Sequence, residues 1–248
     1  MLRRLGLIIV VILIMVAIWQ LGVHPYTAAI ITAALVIGIN TAVSIILNNK
    51  RTGLLNTECD PEAYLGKMEK LREKSVGKNP KATACLDINI SAALISSGEF
   101  EEAKEVLLSI DKNLLSDKNG SLFAYTVNLI WCYYELGETE LAEKLFETQM
   151  PVLAPINKKM TVTVQMLVAD RYFFLKRYAE SRECLTKLWK EKMNRRNRLE
   201  ILYRLAQIDE LEGNTEAALK KYSQVAMNGN KLWIAAKARE KCEQMKGG

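Results

Sequence analysis

The sequence predicts an all-α chain, with an N-terminal transmembrane helical hairpin followed by an α-solenoid of about four helix-turn-helix repeats and capping helices. Three observations predict it. One short phrase occurs four times, as Gly98-Glu-Phe-Glu-Glu-Ala103, Gly137-Glu-Thr-Glu-Leu-Ala142, Lys176-Arg-Tyr-Ala-Glu-Ser181 and Gly213-Asn-Thr-Glu-Ala-Ala218, with starts 39, 39 and 37 residues apart. Self-similarity at such a period is the mark of stacked helical hairpins. Two uncharged apolar segments, Leu5 to Leu21 and Thr27 to Leu47, each approach the ~20 residues that cross a ~30 Å hydrocarbon core. Apolar residues flank every phrase at helical spacing, such as Leu129 and Tyr133 before the second and Leu145 and Phe146 after it.

The hairpin comes first, over residues 1–51. Gly22-Val23-His24-Pro25-Tyr26 separates the two spans, and so short a glycine- and proline-containing link makes them antiparallel neighbours. Arg3 and Arg4 precede the first span, Lys50 and Arg51 follow the second, and residues 1–51 contain no acid. Basic flanks stay cytoplasmic, which places both termini inside and the turn outside, with Trp19 and Tyr26 as interfacial anchors. A cleaved signal peptide over residues 1–26 is the competing reading. The long apolar run and the lack of an A-x-A site before the second span argue against it. Ala34, Gly38 and Ala42 recur every four residues and form a strip suited to close helix packing. Asn40, in the same span, needs a polar partner in hydrocarbon.

Residues 52–80 form a linker and a capping helix, opened at Asp60-Pro61 by an N-cap and a first-turn proline and predicted over about 61–75. The repeats span 81–228. Their helices are predicted near 81–97 and 100–114, 118–136 and 139–150, 158–175 and 178–192, 195–212 and 215–228. Asn119-Gly120, Pro151, Pro155, Asn194 and Asn228-Gly229-Asn230 punctuate them. In three of the four units a Gly ends the first helix in the left-handed conformation, and an Ala five residues later lets helices meet closely. Residues 229–248 supply a second capping helix, with Leu232, Ile234, Ala235 and Ala238 on one side.

The repeating pattern resembles the tetratricopeptide repeat (TPR). Leu129, Tyr133, Gly137, Ala142 and Phe146 fall on that family's marker positions, as do Leu205, Ala206, Gly213, Ala218 and Tyr222. The third unit departs, with Lys176 for the Gly and Ser181 for the Ala, and a related α-solenoid is the reserve reading. The resemblance implies a concave groove lined by the first helices. It assigns Val127, Trp131 and Tyr134, then Met166, Asp170 and Phe173, then Tyr203, Gln207 and Glu210 to that groove. It also implies a protein partner, a peptide or helix, held there. Trp131, Phe173 and Tyr203 fit equally a second placement, packed between helices or under a terminal helix. Chaperone-binding members grip a C-terminal carboxylate with Lys and Asn. The matching positions here are Ile88, Val127, Met166 and Tyr203, so no such clamp is expected.

Charge and composition narrow the function further. Of 34 Lys/Arg against 28 Asp/Glu, four basic residues flank the spans, leaving a net charge of only +2 beyond residue 51. No nucleic-acid partner is expected from so even a balance. The run Lys187–Arg198 reads as a solvated helix end or as a site for anionic lipid. Five scattered cysteines without a C-x-x-C pair suggest buried small apolar residues in a reducing compartment. The single histidine, His24, lies in the interspan turn, and no phosphate-binding glycine motif occurs, so neither an enzyme nor a cofactor or metal is expected. The reading is a membrane-anchored adaptor of the cell (inner) membrane, multi-pass, with a cytoplasmic repeat domain. The alternative is an assembly subunit of a membrane complex, contacting its partners through the hairpin.

Overall fold

The computed structural model describes residues 15–20, 22–153, 155 and 157–247. The chain divides into two units, Met1–Arg51 and Thr52–Gly248. In the first unit residues 15–20 are helical, and the rest of the predicted span Leu5–Leu21 lies outside the described residues. Helix α1, Pro25–Asn56, begins at the proline itself, whose missing N–H costs nothing at a helix start. It continues past Leu47 because Asn48-Asn49-Lys50-Arg51 are polar without being helix-breaking. Among the described residues α1 alone is long and apolar enough to cross a membrane, with mean hydropathy 2.3 over its most apolar window. Its buried positions are Ala28, Thr32 and Leu55, and Thr32 donates to the Ala28 carbonyl at 2.8 Å. Ala34, Gly38 and Ala42 are exposed, and a Cβ on Gly38 would meet nothing within 4 Å.

The second unit is a run of antiparallel helices. They are α2 (Pro61–Ser75), α3 (Pro80–Ser97), α4 (Phe100–Leu108), α5 (Ser121–Glu135), α6 (Thr139–Gln149), α7 (Lys158–Phe174), α8 (Tyr178–Trp189), α9 (Arg195–Leu211), α10 (Thr215–Asn228) and α11 (Trp233–Gly247). The first-turn prolines of α2 and α3 follow Asp60 and Asn79, whose side chains accept from Ala63 N and Ala82 N at 3.0 Å. The expected helix over 100–114 stops at Leu108, and a short 3₁₀ turn, Lys112–Leu114, follows under an Asp111 cap. That over 118–136 starts at Ser121 because Gly120 turns the chain at φ +76°.

The repeated phrase has one geometry throughout. Its first residue is left-handed in every repeat: Gly98 at φ +88°, Gly137 at +77°, Lys176 at +60° and Gly213 at +80°. The following N–H then reaches back to the last turn, as Glu99 N to Leu94 O at 2.9 Å and Arg177 N to Tyr172 O at 2.8 Å. Lys176 thus adopts the backbone that glycine takes elsewhere, at a steric cost of roughly 1–2 kcal/mol. The phrase's last residue, Ala103, Ala142, Ser181 or Ala218, has no exposed surface in any repeat. Serine is tolerated at the third because its hydroxyl donates to the Ala169 carbonyl of the facing helix at 2.8 Å.

Around these contacts the buried apolar side chains of the described residues gather in four clusters, in which a fully buried aliphatic side chain contributes about 1.5–3 kcal/mol. Leu107, Ile130, Leu167, Leu185 and Ile208 are among these side chains along the array. Ion pairs tie successive repeats together: Lys104 to Glu138 at 2.8 Å, Arg171 to Glu143 at 2.6 Å and Arg182 to Asp209 at 2.7 Å. Lys241 joins the last helix to Glu210 at 2.6 Å.

The two ends of the array also meet. Lys231 N donates to Cys59 O at 3.1 Å, and Asn230 donates to Glu58 O at 2.8 Å. The Trp233 ring stands edge-on to Phe100 at 5.4 Å, and a Cβ on Gly98 would lie 2.9 Å from the Trp233 Cβ. Contacts of a solenoid are ordinarily between neighbours. Here the superhelix is wound tightly enough that the last helix covers the first repeat.

Candidate functional site

The first helices of the repeats, α3, α5, α7 and α9, converge on a central cavity of about 90 Å³, closed on one side by Trp233 and Ile234 of α11. Its apolar wall comes from Ile95, Phe100, Trp131, Met166 and Tyr203. Across it lies a set of charged groups, Glu135, Asp170, Arg196, Glu200 and Arg204.

Arg204 is the hub of that set. Its Nε donates to Asp170 at 2.8 Å, its Nη2 to Glu135 at 2.9 Å and its Nη1 to Gln207 at 2.9 Å. The guanidinium also lies 4.3 Å from the Phe173 ring centroid and 4.8 Å from that of Phe174. Five donors in a planar fork are what so many acceptors require, and lysine could not supply them. Trp131 Nε1 donates to the other Asp170 oxygen at 3.0 Å, so side chains from three successive repeats are held in a single network. The two carboxylates keep the Arg204 guanidinium charged against a strong desolvation penalty.

Arg196 and Glu200 are less completely served. Arg196 Nη1 donates to Ser96 at 3.0 Å, linking the fourth repeat to the first. Its Nε is buried without a hydrogen bond, 3.7 Å from Glu200 Oε1. Burial pushes the carboxyls of Glu200 and Glu135 above their usual range, and Asp170 adds to both shifts; Arg196 offsets Glu200 and Arg204 offsets both. Tyr203 is pushed up to about 12 by burial.

The residues assigned to the groove separate into three groups. Trp131, Met166, Asp170 and Tyr203 line the cavity together. Phe173 and Gln207 sit behind it as contacts of Arg204, while Glu210 accepts from the Tyr222 hydroxyl at 2.7 Å and pairs with Lys241. Val127 and Tyr134 are each 1% exposed and belong to the core between α5, α6 and α7. There the Tyr134 ring stacks on Phe174 at 4.9 Å and its hydroxyl donates to Glu143. Ile88 is likewise buried, with Asn128 reaching its carbonyl at 3.4 Å.

Sequence reading missed Glu135, Arg196, Glu200, Arg204 and Trp233. A signal existed for Arg204, which stands inside the apolar run Ile201-Leu202-Tyr203-Arg204-Leu205-Ala206. A charge enclosed in that way is either paired or functional. None existed for Trp233, which arrives from beyond the repeats.

Of the basic run, Lys187 pairs with Glu183 at 2.6 Å and Arg198 stacks over Trp189 at 4.7 Å, while Arg196 turns into the cavity. All five cysteines are free thiols; Cys59, Cys132 and Cys242 are buried, and burial pushes Cys132 up to about 12. Among the described residues no group of three or more His, Cys, Asp or Glu is placed to hold a metal.

No curated protein and no solved structure matches the chain. A family model does, that of the SusR N-terminal TPR domain, over residues 63–235. The match begins inside α2, a helix read from sequence as a cap, and ends just inside α11. It takes in all four repeated phrases, the left-handed turns and the whole charged network. With more than half its length matched, the chain belongs to the SusR N-terminal TPR domain family.

Proposed function

We propose that the protein is a membrane-anchored TPR adaptor that holds a protein partner at the cytoplasmic face of the cell (inner) membrane. The observation that carries this reading is the convergence of four first helices on one cavity lined by Trp131, Tyr203 and Trp233. Aromatic side chains give large contact area at low entropic cost, and such clusters dominate binding energy in protein interfaces. TPR domains are in general protein-interaction modules without catalysis, and the network around Arg204 acts as a scaffold for the groove. Supporting the anchor are the apolar helix Pro25–Asn56 and the basic residues flanking the two apolar segments, which favour a two-span, multi-pass arrangement with both termini inside.

Affinity capture of the full-length protein from native membranes in mild detergent tests this. Trp131→Ala should abolish retention of a specific protein while helical content persists. Equal capture by the variant sinks the groove assignment.

An assembly subunit of a membrane complex is the second reading. It is favoured by the exposure of Ala34, Gly38 and Ala42, with open space around Gly38. Gly38→Leu should then dissolve the complex, and an intact complex counts against that role.

A further inference from the structure

Three properties of the cavity point to one ligand chemistry. The first is charge: Glu135, Asp170 and Glu200 face only Arg196 and Arg204 among the charged groups that line it, leaving one carboxylate in excess. The second is hydrogen bonding. Among the described residues no donor reaches the Glu200 carboxylate within hydrogen-bond distance, and Arg196 stands off at 3.7 Å. Of the Glu135 oxygens only Oε1 is engaged, by Arg204. The Glu200 and Glu135 side chains are 31% and 18% exposed, so these oxygens stay open to a donor from outside. The third is the wall. Trp131, Tyr203 and Trp233 line it, and aromatic rings attract cations through the ring quadrupole. Size adds a limit, because about 90 Å³ is well below the ~300 Å³ of a typical small-molecule site. It admits the head of one side chain, with the rest of the partner outside.

Resting on the groove reading above, we infer that the cavity receives one basic side chain, lysine or arginine, of the protein partner, with Glu200 as its counter-ion and Trp131 and Trp233 beside it. The ammonium or guanidinium donates to Glu200 and to the free oxygen of Glu135. Arg204 is held by Asp170, Gln207 and Glu135 and does not move. Charge-assisted bonds of this kind are about twice as strong as neutral ones, which makes the basic residue the specificity element of a wider, apolar contact.

The test uses the full-length protein in mild detergent and short alanine-based peptides carrying one central Arg, Lys, citrulline, norleucine or Asp, with binding followed by tryptophan fluorescence. Arg or Lys peptides should bind at least tenfold more tightly than the citrulline and norleucine peptides, and the Asp peptide least. Glu200→Gln, which keeps side-chain size, should erase that preference, so that Arg, Lys and norleucine peptides bind alike. Equal binding of basic and neutral peptides overturns the inference and leaves the groove reading standing. Binding of no peptide, with membrane capture still lost in Trp131→Ala, likewise overturns the basic side chain alone. Capture unaffected by Trp131→Ala removes the groove reading and the inference with it.

Discussion

Arg204→Met keeps most of the side chain's bulk and deletes the guanidinium that joins Glu135 to Asp170. The Arg204 side chain is 9% exposed and its partners 18% and 15%, so water replaces the lost interaction poorly. Breaking a buried pair from one side costs about 3–5 kcal/mol, because the remaining charges stay desolvated. Residual exposure of the carboxylates puts the expected loss at the lower end, about 3 kcal/mol. In a domain of this size 1 kcal/mol moves Tm by roughly 2–4 °C, which gives a fall of about 6–12 °C. Thermal unfolding of the full-length protein in mild detergent, followed by near-UV circular dichroism, reads it. A second variant separates charge from packing. Adding Glu135→Gln and Asp170→Asn to Arg204→Met removes the stranded charges and should recover most of the loss. A fall of less than roughly 2 °C in the single variant would refute the argument that this network is a desolvated staple. A triple variant no more stable than the single one would assign the cost to lost stacking on Phe173 and Phe174 instead.

Other expectations follow from single positions. Lys176→Gly relieves a left-handed lysine at φ +60° and should raise stability by about 1 kcal/mol, seen as a higher Tm. Gly213→Ala and Gly98→Ala both place a side chain at positive φ, and each should cost about 1 kcal/mol for that reason. Gly98→Ala should cost a further 1 kcal/mol or so, since its Cβ would meet Trp233 at 2.9 Å whereas that of Gly213 meets open space. Equal losses in denaturant titrations would contradict the tight closure of the array. The raised carboxyl of Glu200 sets a pH dependence: the unfolded chain releases this proton near 4.5 and the folded chain only at higher pH. The folded state therefore binds more protons in that window, and stability falls as pH rises through it. Glu200→Gln should flatten this fall in a series of Tm measurements, and an unchanged slope would remove Glu200 as its source. Glu143 and Glu210 act oppositely: Arg171 and the Tyr134 hydroxyl hold the first low against its burial, and Lys241 and the Tyr222 hydroxyl the second. Their contribution is lost as pH drops through their lowered values.

Most of the helical order was legible in the residues because helix ends and packing faces are local properties. Glycine at the left-handed stop, alanine at the close helix crossing and proline after Asp60 each act within one turn of chain, and each stands where the sequence placed it. Even the irregular third phrase could be aligned, and Lys176 then adopts the same backbone as its glycine counterparts. Which aromatic residues face the groove was not legible. Trp131 and Tyr134 are separated by three positions on one helix, yet one lines the cavity and the other lies under Phe174. That outcome depends on how the neighbouring repeat is rotated.

The sequence by itself determined a chain of helical hairpins behind an apolar, positively flanked N-terminal region, because periodicity, punctuation and hydropathy are written residue by residue. Only the tertiary structure decided that the array winds until Trp233 reaches Phe100, and that Arg204 joins carboxylates 34 and 69 residues away. The small rotation between successive repeats, summed over the array, sets which side chains meet across its axis. No local pattern of residues records that sum.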